Sequence, residues 1–309
     1  MKITRIETVL LTGPCTNAPF LSETRLLRSA AFVGVVLLVL LFCAETSHSA
    51  GAPATPVAPK GDVLTLKTPD GVRFGIWGTE VRYPAPTLLV FSATIEQSLG
   101  DAYYRQCGNA LAEQGFLCVS LDLPGHGVDT RNDEPGGLGS WRVRSDHGED
   151  FVAPFAAQVR KVLDYLIQAG YTDPDRIAAC GTSRGGFMAL QVTAAEPRIR
   201  ATAAFAPVTA LRSLREFQGA TNTDYVDALS LYARAGALAG RSLWIIIGDR
   251  DERVGTDDAI SFARRVTTLS LAQAKPADLT LIIQPESKGH TTPAGAPELA
   301  ADWIGEKLK

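Results

Sequence analysis

The sequence predicts an α/β fold, a mostly parallel central sheet with helices on both faces. Three observations predict it. Short strand-like runs, such as 87–91 and 243–247, alternate along the chain with stretches of helical periodicity such as 155–169. The short runs are apolar throughout, as in strands covered on both sides. Finally, 309 residues that are 46% hydrophobic, with a net charge of −3, suit one large domain with a sizeable core. The same composition is too weakly basic for a nucleic-acid binder. Heptads, repeats and low-complexity tracts are missing, as are His-x-x-x-His and Cys-x-x-Cys spacings, so neither a metal nor a cofactor is expected.

In order, 63–67 and 72–77 alternate around Pro69-Asp70-Gly71 and read as a hairpin. A third strand spans 87–91, a helix 103–114 and a fourth strand 116–121. A helix over 155–169 places Val159, Val162, Leu163 and Leu166 on one face, and Asp173-Pro174-Asp175 ends that unit. Strands follow at 176–180, 202–205, 243–247 and 279–283. A helix runs from an N-cap at Thr256 to Val266, and another closes the chain over 299–308. Two long connections remain. One covers 128–150 and holds Trp141, Arg142 and Arg144. The other covers about 208–241 and holds Phe217, Tyr225 and Tyr232. Leu229, Leu231, Tyr232 and Leu238 lie mostly at helical spacing, so the second reads as a small lid insertion, an ordinary surface excursion being the alternative.

The richest stretch is Gly181-Thr182-Ser183-Arg184-Gly185-Gly186. It follows the strand-like Ile177-Ala178-Ala179-Cys180 and precedes the helix-like Phe187-Met188-Ala189-Leu190. A Gly-x-Ser-x-Gly turn between strand and helix forces the serine into a strained conformation that lifts its hydroxyl into the open. A serine hydroxyl needs a base, and the base an orienting carboxylate. Of the four histidines, His290 stands on the loop after a late strand, where the base belongs. His126 sits in Leu123-Pro124-Gly125-His126-Gly127, His147 in a polar connection, and His48 near the N-terminus. The carboxylate comes from Gly248-Asp249-Arg250-Asp251-Glu252-Arg253-Val254, with Asp251 preferred and Asp249 and Glu252 as rivals. The order Ser183, Asp251, His290 differs from either common serine-protease order.

These motifs, together with Asp122-Leu123-Pro124-Gly125-His126-Gly127, make residues 62–309 resemble the α/β-hydrolase superfamily, nearest to the dienelactone-hydrolase and prolyl-oligopeptidase-like branch. The resemblance implies the α/β-hydrolase fold and a serine hydrolase acting through an acyl-enzyme. A carboxylic ester is the expected substrate. A prolyl-oligopeptidase-type peptide or amide is the alternative, and a non-catalytic binding protein on the same scaffold a third reading. The partner is a small-molecule ester or a peptide. Where relatives often carry His-Gly after the third strand, this chain has Ser92-Ala93-Thr94. An oxyanion hole is built of backbone N–H groups, so Thr94 and Arg184 can still supply it, Ala93 being the one-residue alternative to Thr94.

The N-terminus carries a different message. Arg25 and Arg28, an apolar run over 30–44 and the small residues Ser49 to Ala52 describe a secretory signal over 25–52, cut after Ala50 or Ala52. An extracytoplasmic location follows; the alternative is a membrane anchor formed by 30–44. Residues 53–61 are a Pro-rich linker. Residues 1–24 are extraneous to the catalytic segment, and the first 30 or so resemble the opening strand of the mandelate racemase/enolase superfamily. Beyond residue 52 three cysteines remain, Cys107, Cys118 and Cys180, expected as buried thiols with a disulfide from Cys107 as the alternative.

Overall fold

The computed structural model describes residues 56–285 and 289–309. The expected N-terminal segment and signal, and residues 53–55 of the linker, therefore lie outside the described residues. An eight-stranded sheet organises the rest, in the order β1-β2-β4-β3-β5-β6-β7-β8. Its strands are β1 (Leu64–Lys67), β2 (Arg73–Trp77), β3 (Ala85–Phe91), β4 (Leu117–Ser120), β5 (Thr172–Thr182), β6 (Ile199–Phe205), β7 (Ser242–Gly248) and β8 (Leu279–Gln284). The first two form the expected antiparallel hairpin, and β2 pairs antiparallel with β4. Every later pairing is parallel.

Alternation along β3 shows how the two faces are covered. Leu89 and Phe91 enter one core with Phe155, Val159, Val162 and Leu163 of α5 (Val152–Gln168); Leu88 and Val90 enter the other. The first face also holds α6 (Arg184–Ala195), α8 (Leu231–Leu238) and α9 (Thr256–Ala272). The second holds α1 (Ile95–Gly100), α3 (Gly108–Glu113) and α10 (Ala296–Lys307). Each fully buried Leu, Val or Phe contributes about 1.5–3 kcal/mol. A shell of this size holds the strand ends, and the loops on them, in a fixed frame.

The structure corrects three local expectations. The helix over 103–114 is broken: α2 (Ala102–Arg105) ends at Gln106, whose φ is 50°, and α3 starts anew at Gly108. Asp173-Pro174-Asp175 does not end a unit before the strand. It lies within β5, where the pairing with β3 jumps from Ala85↔Thr172 to Thr87↔Ile177, so the turn residues are absorbed as an irregularity at the strand's start. The N-cap of α9 is Gly255, and the Thr256 hydroxyl donates instead to Gly248 O at 2.6 Å. The connection over 128–150 contains α4 (Leu138–Asp146) with Trp141 fully buried. The connection over 208–241 folds into short turns, α7 (Thr223–Leu229) and α8. It sends Leu211, Phe217, Val226 and Leu238 into the main core and leaves Arg215 and Glu216 on the wall of the cavity described below. Cys107, Cys118 and Cys180 are buried free thiols, and burial raises the Cys118 and Cys180 thiols well above their ordinary range.

Candidate active site

Ser183 sits between the end of β5 and the start of α6 with φ 57° and ψ −114°. A non-glycine residue there carries strain of about 1–3 kcal/mol and persists only where its surroundings enforce it. They do so here. Ser183 N donates to Phe205 O at 2.9 Å, and Val208 N donates to Ser183 O at 3.2 Å. The flanking glycines are required by space: a Cβ on Gly185 would stand 1.8 Å from Phe91 O, and one on Gly181 would stand 2.3 Å from the Gly185 carbonyl carbon. The turn is thus wedged against the end of β3.

His290 lies on the loop between β8 and α10. Its Nε2 is 3.0 Å from Ser183 Oγ, and its Nδ1 is 2.7 Å from Asp251 Oδ2. An ionised carboxylate only accepts, so Nδ1 carries the proton and Nε2 accepts from the serine hydroxyl. The Asp251 side chain is fully buried. Its other oxygen, Oδ1, accepts from Arg253 N at 3.0 Å and Val254 N at 3.2 Å, which orients the carboxylate. The loop carrying it is closed by Thr256, whose Oγ1 accepts from Asp251 N at 3.2 Å while donating to Gly248 O. The rivals lie elsewhere: Asp249 is exposed beside Arg250, and Glu252 is exposed. His147 is exposed as well.

The serine opens into a cavity of about 530 Å³. Tyr103 and Tyr104 form one wall, residues 136–139 at the start of α4 another, and Arg184, Arg215, Arg253 and Glu216 a third. Arg253 Nη2 donates to Glu216 Oε1 at 2.7 Å, whereas Arg253 Nη1 and Glu216 Oε2 are buried without a hydrogen-bond partner. Burial opposes the charge of Glu216, but bonds from its own backbone and Arg253 outweigh it and hold its carboxyl below the ordinary range. Arg184 has no carboxylate within ion-pair distance among the described residues. Its Nη1 donates to His126 Nε2 at 2.8 Å, and His126 Nδ1 donates to Pro124 O at 2.9 Å. Burial lowers the affinity of both groups for a proton, with the neighbouring cation adding to the effect on His126. The imidazole is therefore held neutral beside a guanidinium.

The loop after β3 lies against the serine turn through the Gly185–Phe91 contact. Two of its amides are already engaged: Ser92 N donates to Ser98 Oγ at 3.1 Å and Ile95 N to Asp122 Oδ1 at 2.8 Å. Ala93 and Thr94 lie between them, and the Thr94 side chain caps α1 by accepting from Gln97 N. Sequence reasoning missed the roles of Arg215, Glu216 and Arg253 in the cavity, the Arg184–His126 contact, and Gln106. Each depends on a contact distant in sequence, so no local pattern announces it. Among the described residues no group of His, Cys, Asp and Glu could hold a metal ion, and no helix is long and apolar enough to cross a membrane; the apolar run at 30–44 lies outside them.

The Prolyl oligopeptidase family model matches residues 155–304, which contain the serine turn, Asp251 and His290. The chain is a serine hydrolase with the α/β-hydrolase fold. Solved structures with this architecture include a cold-adapted esterase from an Arctic intertidal metagenomic library, at 18% identity over 80% of this chain and 93% of that one, with a TM-score of 0.57. Dipeptidyl peptidase 4 of Porphyromonas gingivalis is similar at 20% identity and a TM-score of 0.60; 80% of this chain is covered, against 35% of the peptidase. Acetyl xylan esterase 1 from a Thermoanaerobacterium species is similar at 16% identity over 80% of this chain and 83% of the esterase, with a TM-score of 0.57. At these identities the similarity establishes the fold, which both esterases and peptidases use. No curated protein sequence matches the chain.

Proposed function

We propose that this serine hydrolase cleaves a carboxylic ester through an acyl-enzyme, with Ser183 as nucleophile, His290 as general base and acid, and Asp251 as the carboxylate that orients and stabilises the imidazole. The observation that carries the reading is the unbroken chain of contacts from Asp251 through His290 to Ser183, at 2.7 and 3.0 Å. The Ser183 hydroxyl passes its proton to Nε2 as Oγ bonds to the carbonyl carbon. The negative charge then developing on the carbonyl oxygen is met by the N–H groups of Thr94 and Arg184. Collapse breaks the bond to the alcohol oxygen, which takes the proton back from Nε2. Water then repeats the sequence on the acyl-enzyme and frees the acid.

A peptide or amide substrate is the second reading, favoured by the family match over 155–304. Both share the acylation chemistry, but an amine leaves only if His290 protonates it before collapse, so an ester is the less demanding substrate. The test is a fluorophosphonate probe followed by a panel of aryl esters and peptide anilides. The wild type should be labelled at Ser183 and should turn over esters faster than anilides, and Ser183→Ala should lose both properties. Labelling that survives Ser183→Ala would remove the nucleophile assignment. Faster turnover of anilides would move the protein to the peptidase reading.

A further inference from the structure

Gln106 is buried, 2% exposed, and it interrupts what the sequence presents as one helix. Its backbone stands at φ 50° and ψ −126°, close to the strained conformation of Ser183. Such a residue persists only where neighbours hold it, and its environment then asks for a functional explanation. The main chain is fixed by Asn109, whose N and Nδ2 both donate to Gln106 O, at 3.2 and 3.0 Å. Asn109 Oδ1 accepts from Arg105 Nε at 2.8 Å. A backbone braced in this way aims the side chain in one direction.

Its Nε2 donates to Thr182 Oγ1 and to Thr292 Oγ1, each at 2.9 Å. Thr182 immediately precedes Ser183, and Thr292 stands two residues after His290. One amide nitrogen therefore ties the serine turn to the histidine loop. The same corner makes a second contact with that loop, since Thr292 N donates to Tyr103 OH at 3.3 Å. The loop needs such support. The described residues 289–295 form neither helix nor strand, and β8, which precedes the loop, is the partly exposed last strand of the sheet. Ser183 is locked by β5, β6 and α6, and Asp251 by its own closed loop. Asp251 also lies outside helix and strand, but Thr256 closes its loop from within, whereas the loop of His290 is held from outside by Gln106 and Tyr103.

We propose that Gln106 is a positioning residue that sets the distance between His290 Nε2 and Ser183 Oγ by tying Thr182 to Thr292. The inference rests on the catalytic reading of Ser183 and His290 given above. Gln106 touches neither reacting group and acts through the two threonines.

The experiment compares Gln106→Met, which keeps side-chain length and removes both bonds, with Thr292→Val, which removes one arm, and with the double variant. Gln106→Glu serves as the rescue, because its carboxylate can accept from both threonine hydroxyls. Gln106→Met and Thr292→Val should each lower kcat roughly 10- to 100-fold, as misplacement of a catalytic group by about 1 Å does. KM should stay within about twofold, and the double variant should be no worse than Gln106→Met, as for residues acting as one unit. The acidic limb of the kcat/KM pH profile should shift in both single variants, and Gln106→Glu should recover part of kcat. A merely structural residue would lower Tm and leave kcat, measured well below Tm, and the pH profile unchanged; that result overturns the proposal. So do additive losses in the double variant. Ser183→Ala, run alongside, separates the two ideas: if it is inactive while Gln106→Met behaves as wild type, the tie fails and the catalytic reading stands.

Discussion

Asp251→Asn is the substitution whose outcome the structure specifies most closely. Asp251 Oδ1 accepts two backbone N–H groups, from Arg253 and Val254, and Oδ2 faces His290 Nδ1. An asparagine here keeps its carbonyl oxygen on the two backbone donors, since turning its NH₂ toward them would leave buried donors facing donors. Its NH₂ then faces Nδ1, which must become the acceptor, and the ring proton moves to Nε2. There it points at Ser183 Oγ, 3.0 Å away, as a donor where a base is required. The fold is kept while the tautomer is inverted. The expected loss in kcat is on the order of 10³- to 10⁴-fold, as loss of the orienting carboxylate causes in serine hydrolases, or about 4–5.5 kcal/mol in the barrier. The assay is steady-state hydrolysis of a short-chain aryl ester near neutral pH, with circular-dichroism melting to show that the fold persists. Asp249→Asn, at the exposed position, should cost less than about tenfold, below the roughly 10²- to 10⁴-fold that a positioned acid–base group supplies. A folded Asp251→Asn variant within tenfold of wild type, or an equal loss at Asp249, would refute the reasoning.

Gly185→Ala would force a Cβ against Phe91 O, 1.8 Å away, and should cost at least about 1–3 kcal/mol of stability, measured as a lowered denaturation midpoint. His126 binds its proton less readily in the fold than in the unfolded chain because it is buried beside Arg184. Its contribution to stability is therefore full above about pH 6.5 and is lost as the pH falls below it, so His126→Gln should flatten the acid-side decline in Tm. Three guanidinium groups and one carboxylate on the cavity wall favour a substrate carrying a negative charge. Arg184→Met should raise KM for an ester with a free carboxylate by roughly tenfold, one charge-assisted contact, and leave that of its neutral analogue unchanged; equal KM changes for both would count against it. The proposed export is tested by fractionating expressing cells and sequencing the N-terminus of the protein, which should be found outside the cytoplasm and begin near Gly51 or Pro53; an intact Met1 on a cytoplasmic protein would remove that reading.

What could be read in advance follows from the range of the forces involved. The strands β3, β5, β6 and β7 were legible because burial on both faces imposes an apolar run within a few residues. The serine turn was legible for the same reason: the space that excludes a Cβ at Gly181 and Gly185 belongs to a local crossing of strand and helix. No local force separates Asp251 from Asp249. Both follow β7, and only the folding of their loop onto Thr256 and His290 separates them. Gln106 lay beyond local reading altogether. Periodicity over 103–114 reports the apolar face carried by Cys107, Leu111 and Ala112, and that face is real. It cannot report where the backbone leaves the helix, because glutamine is a good helix former and is tolerated anywhere on such a surface. The bonds that override its preference reach Thr182 and Thr292, 76 and 186 residues away along the chain. A residue held against its own propensity by two such distant partners is legible only after the chain has folded, and the same bonds that hide it in the sequence place it between the Ser183 turn and the His290 loop.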